Sequence, residues 1–149
     1  MSNLREGEME VLLDYVYELN WITVIVAACV GMLINAAWYS DSLFGKQWRK
    51  SVKLKKSDTE KDGVSVTLLI SLMTLIISAA ALGVLVMVLD LSGAVSGLLL
   101  GTLVASGFVI TNNGMHKLYE QRPFALYAIT AVGDILTLAA MGAILATWS

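Results

Sequence analysis

The chain has 149 residues, 57% of them hydrophobic and 15% charged, with a formal net charge of −2 and a mean hydropathy of +0.73. Soluble domains lie nearer to about 45–50% apolar, and here the excess falls into four blocks with the charges gathered between them. One cysteine, Cys29, excludes an internal disulfide and a multi-cysteine metal site, and one histidine, His116, excludes a histidine metal cluster within one chain.

Residues 1–19 form an acidic segment carrying Glu6, Glu8, Glu10, Asp14 and Glu18. A signal peptide begins with a basic region, so this start does not read as one. Met9, Leu12, Leu13, Val16 and Tyr17 recur at helical spacing, with Glu10, Asp14 and Glu18 on another face. The pattern predicts a short helix, and its like charges require an apolar surface such as the membrane interface to hold it.

Residues 20–149 read as a single transmembrane domain. The first predicted span, about 20–40, has no charge and is bounded by Trp21 at one end and Trp38 with Tyr39 at the other. That length crosses a hydrocarbon core as a helix, and aromatic ends mark the two borders. Asn35, a turn from the inner border, reads as a helix-contact residue, and Cys29 as a packing residue.

The connection 41–63 holds seven of the ten basic residues. Phe44, Trp48 and Val52 stand at i, i+4 and i+8, with Lys46, Arg49, Lys50, Lys53 and Lys56 on the opposite arc. This is a basic amphipathic helix of the kind that lies among headgroups and favours anionic lipid. No nucleic-acid-reading module accompanies the basic cluster. Ser57 and Glu60 have capping-box spacing, and Asp62-Gly63 ends the pattern.

The second and third spans, 64–89 and 93–113, are uncharged and separated by Asp90-Leu91-Ser92, which forces an antiparallel hairpin. A short polar connection, 114–123, follows, with Asn113-Gly114 suited to a helix C-cap. His116 and Glu120 are four apart and can pair on one helical turn; with Arg122 they read as a solvated border turn. Pro123 suits a helix start, and the fourth span covers about 124–148. Nine of the ten basic residues flank 41–63 and 114–123, against Arg5 alone elsewhere. The positive-inside rule then places both connections in the cytoplasm and both termini outside.

Three features inside the spans carry chemistry. Gly93, Gly97, Gly101 and Ala105 form a small-residue row that lets two helix backbones approach closely, within the chain or in a homo-oligomer formed through this helix. Thr67, Ser71, Thr74 and Ser78 make a hydroxyl stripe; each can bond its own backbone a turn back, and the stripe reads as turned toward protein. Asp134 is the single charge within the four spans. An aspartate at mid-bilayer costs about 2.5–3.5 kcal/mol on insertion scales and normally turns inward. Thr130 and Thr137 flank it, and Thr74 sits at a similar depth. Asp134 therefore reads either as a functional carboxyl or as one tying helices together through a hydrogen bond.

The run AAWYSDSLFGKQW at the end of the first span, and the tail LYEQRPFALYAITAVGDILTLAAMGAILATW with its aromatic-Glu-x-Arg-Pro opening, resemble the uncharacterised membrane-protein family called domain of unknown function 1761. The resemblance covers residues 20 to 148. It implies a four-helix protein of a prokaryotic inner membrane, and it brings no established activity, cofactor or catalytic residue.

The sequence thus predicts an all-α membrane protein, an antiparallel bundle of four transmembrane helices with a basic interfacial helix and an acidic N-terminal one. The first functional reading is a non-enzymatic protein acting by helix association with itself or another membrane protein. The alternative is an oligomeric small-solute or proton-linked transporter or channel using Asp134. An enzyme acting on lipid or quinone comes last, because no metal cluster, nucleophile–base pair or phosphate loop is visible.

Overall fold

The computed structural model describes residues 10–11, 13–52, 64–121 and 123–148. Met9, Leu12, Lys53, Lys56, the Ser57–Glu60 pair, Asp62-Gly63 and Arg122 of the expectations above lie outside them. After helical residues 13–18 come five helices: α1 (Trp21–Trp38), α2 (Gly45–Val52), α3 (Val64–Val88), α4 (Ala94–Glu120) and α5 (Phe124–Thr147). No strand occurs among the described residues. Helices α1, α3, α4 and α5 are each long and apolar enough to cross a membrane. Apolar runs of this length are helical because a helix satisfies every interior backbone group within itself, where lipid offers no partner. The chain has an all-α membrane fold.

Local chemistry sets the helix ends. The Asn20 side chain accepts a hydrogen bond from the Thr23 N–H at 3.3 Å and so caps α1. Between α3 and α4 the chain turns through Asp90 (φ +50°) and Gly93 (φ +86°). The Gly93 N–H donates to the Ala146 carbonyl at 2.8 Å, tying this turn to the far end of α5. Pro123 (φ −58°, ψ 139°) precedes α5.

Helix α5 is the centre of the bundle and packs against α1, α3 and α4, whereas α3 and α4 touch little. The core joins Val24, Ala27 and Ala28 of α1 to Ala79, Leu82 and Val86 of α3, Leu100 of α4, and Met141, Leu145 and Ala146 of α5. Leu19 closes the end of it beside the start of α1; Leu13, Val16 and Tyr17 before it stay exposed.

Three expectations need correction. The third span does not stop at Asn113: α4 runs on to Glu120 through most of the expected connection. The left-handed residue that ends it is Gln121 (φ +50°), so Gly114 sits inside the helix instead of capping it. Second, the hydroxyl stripe is turned toward protein within this chain only in part, Ser71 and Ser78 being half-buried. Ser71, Thr74 and Ser78 donate to the Thr67, Ile70 and Thr74 carbonyls at 2.8, 2.7 and 3.0 Å, and Thr67 and Thr74 are exposed. A hydroxyl satisfied by its own helix needs no second helix. Third, Cys29 is exposed on the bundle and does not pack inside it.

Candidate functional site

The corner after α1 folds around its backbone. The Ser40 carbonyl accepts the N–H groups of Leu43 (3.1 Å) and Gly45 (2.9 Å), and the Trp38 carbonyl accepts that of Phe44 (3.2 Å). Gly45 lies so close to the Tyr39 and Ser40 carbonyls that no Cβ fits there. Asp41 and Arg49 form an ion pair that holds α2 back on the corner. Phe44 packs on Trp38 with ring centroids 4.5 Å apart, and Trp48 meets Tyr39 edge-on at 5.7 Å.

Trp38 is therefore no outward anchor. Its indole N–H donates to the Ile129 carbonyl of α5 at 2.9 Å, and its ring fills the place a side chain on Gly133 would take. One turn earlier, the Thr137 hydroxyl donates to Asn35 Oδ1 at 3.3 Å, a partly buried α5–α1 bond. Lys46 and Lys50 of α2 are exposed, whereas Arg49 is partly covered.

With Trp38 turned into α5, the next residue, Tyr39, points to an open cleft of about 530 Å³. Its walls are Tyr39 from the corner, Asn113, His116, Lys117 and Glu120 from α4, and Thr130 and Asp134 from α5. Every one of these side chains is polar. Asn113 Nδ2 donates to Asp134 Oδ2 at 3.4 Å, a long bond across the α4–α5 seam. The Thr130 hydroxyl donates to the Leu126 and Tyr127 carbonyls, both at 3.0 Å, so toward the cleft it acts as an acceptor. Burial pushes the Tyr39 phenol up to about 12, with the nearby Asp134 carboxylate adding to the effect. Lys117 stands on the α4 wall with its ammonium 5.3 Å from the centre of the Tyr127 ring.

The structure thus gathers Asp134, Thr130, Tyr39, His116 and Glu120, which the sequence distributed over three separate features. It leaves Thr74 out, for the reason given above. It also adds Asn113, expected above to belong to a helix C-cap, and Lys117, which carried no separate role among the expectations. Helical spacing was the available signal: 113, 116, 117 and 120 stand at i, i+3, i+4 and i+7, one face of one helix. Among the described residues no three His, Cys, Asp or Glu side chains stand together as metal ligands.

The small-residue row lies at the other end of α4. Gly97, Gly101 and Ala105 are buried, and the backbones of α4 and α5 approach so closely that a Cβ on Gly97 or Gly101 would overlap the Gly142 or Leu138 carbonyl. Gly93, at the head of the row, caps α4 and is exposed. This face is taken by α5.

The cleft can hold a small polar solute or ordered water. Comparisons with curated proteins and with solved structures found no match. Residues 22–146 match the family described as protein of unknown function (DUF1761), and with most of the chain covered, the protein belongs to that family.

Proposed function

We propose that this is a multi-pass protein of a prokaryotic inner membrane, with both termini outside, that takes up protons at Asp134 from the cytoplasmic side, alone or together with a small polar solute. One observation carries the reading. The only charged residue of the stretches 20–40, 64–89, 93–113 and 124–148 opens into a polar cleft formed by three segments of the chain. An intramembrane carboxyl facing a cavity marks a solute or proton path. Lys46, Arg49, Lys50 and Lys117 stand at the cleft end, which supports a cytoplasmic mouth. Exposed Lys46 and Lys50 would rest α2 on anionic headgroups. The reading is non-enzymatic: the cleft binds and releases.

Association alone loses the feature that suggested it, because a second copy at the glycine row would have to displace α5. A complete path through a bundle this small still calls for at least a dimer, formed on other faces.

The test is proton flux into sealed vesicles carrying a pH-sensitive dye and an imposed pH gradient. The parent protein should dissipate the gradient, and Asp134→Asn should abolish that flux without lowering the melting temperature. A parent that leaves the gradient intact ends the proposal.

A further inference from the structure

Six residues of α4, Ala105–Ile110, form a π-helical turn between two α-helical segments. Such a turn holds about one residue more than an α-helix does over the same stretch. Both of its ends are anchored to α5. On the N-terminal side Gly97 and Gly101 meet Gly142 and Leu138 backbone to backbone. On the C-terminal side Asn113 bonds Asp134 at 3.4 Å.

The phase of the helix shows what the extra residue does. At about 100° per residue, an unbroken α-helix would place Asn113 about 120° and Glu120 about 100° around the axis from Gly101. The face turned to α5 would then carry Asn112, Met115 and Tyr119. Removing one residue's worth of rotation brings Asn113 to about 20° and Glu120 to about 0°, onto the glycine face.

We propose that the π-turn Ala105–Ile110 is the positioning element of the cleft: its one surplus residue rotates Asn113, His116, Lys117 and Glu120 toward α5. The surrounding bonds fit a built feature. The Tyr127 hydroxyl of α5 donates to the Ile110 carbonyl at 3.1 Å, and the Thr111 hydroxyl donates to the Gly107 carbonyl at 2.7 Å. Both carbonyls thereby have a side-chain donor at the turn. Gly107 has no atom within 4 Å of where its Cβ would stand, so the bulge turns its slack outward. The inference concerns which residues form the cleft wall and is independent of what the cleft holds.

Disulfide cross-linking in the full-length protein in lipid nanodiscs tests it, in a background where Cys29 is replaced by alanine. Asn113→Cys with Asp134→Cys should link upon mild oxidation, and Asn112→Cys with Asp134→Cys should not. Deleting Gly107 should leave the linking position at 113, because the deletion removes the surplus residue and straightens the turn without rotating the C-terminal segment. In a regular α-helix the parent would link through 112, and the deletion would move the link to 113. A parent that links through 112 or through neither position overturns the proposal, as does a deletion that moves the link away from 113. Should the shortened chain fail to fold, the two parent pairs decide alone.

Discussion

The same two helices, α4 and α5, meet in opposite ways at their two ends. At one end, near the start of α4, Gly97 and Gly101 lie on Gly142 and Leu138, backbone against backbone. Small side chains let helices close up, and the packing contacts so gained are what hold helices together where hydrophobicity does not distinguish protein from lipid. At the other end the facing residues are Asn113, His116, Lys117 and Glu120 against Thr130 and Asp134. Long polar side chains hold the backbones apart and leave room for water. Under the proposed function, one seam serves as fulcrum and as site: the glycine half fixes the helices, and the polar half binds.

One substitution made at both ends should separate these roles. Gly97→Ala puts a methyl group into the Gly142 carbonyl and the Ala146 side chain, and rigid backbone cannot move aside cheaply. We expect a loss of about 3 kcal/mol or more, seen as a large drop in melting temperature in detergent or as loss of monodisperse protein. Gly114→Ala meets only the Tyr127 side chain, tightest at its hydroxyl (3.0 Å), with ring carbons at 3.4 and 3.6 Å. A shift of a few tenths of an ångström accommodates it, and alanine regains up to about 1 kcal/mol of helix propensity. The net change should lie within about 1 kcal/mol. Equal losses at the two positions would break the contrast between a closed end and an open one.

How far the sequence revealed this contrast depended on whether each feature has a local cause. The four spans are local: a run without charge, long enough to cross, has one stable form in lipid, and 64–89 and 124–148 differ from α3 and α5 by a residue or so at most. The small-residue row is nearly local, since only close approach explains it, but its partner is named by Gly142 and Leu138 on another helix. The C-terminal end of α4 runs past the expected stop because Asn113-Gly114 imitates one. A glycine inside the helix is tolerated there because the Tyr127 ring lies against it. Trp38 and Tyr39 resembled a border pair facing lipid. Their inward course follows from the missing side chain at Gly133, ninety-five positions away in the chain. Depth alone matched Thr74 to Asp134, but depth carries no azimuth, and the threonine faces outward. The cleft as a whole was hidden for the same reason: its wall depends on a register shift in 105–110 that no residue type announces.

The smallest expected effect concerns how wet the polar half is. The Tyr39 phenol, raised from 10.0 to about 12 by burial and by Asp134, keeps its proton in the folded protein over a range where an unfolded chain has lost it. Below pH 10 both states hold the proton, and the stabilisation is fully present. From 10 upward the unfolded state binds fewer protons than the folded one, so stability falls until the folded phenol titrates near 12. Tyr39→Phe has nothing to ionise and should lack that decline. The measurement is ultraviolet phenolate absorbance, parent minus Tyr39→Phe, across an alkaline titration in detergent, with unfolding monitored alongside. The difference spectrum should stay flat through pH 10 and rise only toward 12. A phenolate signal with its midpoint near 10 would place Tyr39 in bulk-like water. The cleft would then be part of the outer surface, and its difference from the closed end would be one of exposure alone, with no burial at Asp134 for the carboxyl to exploit.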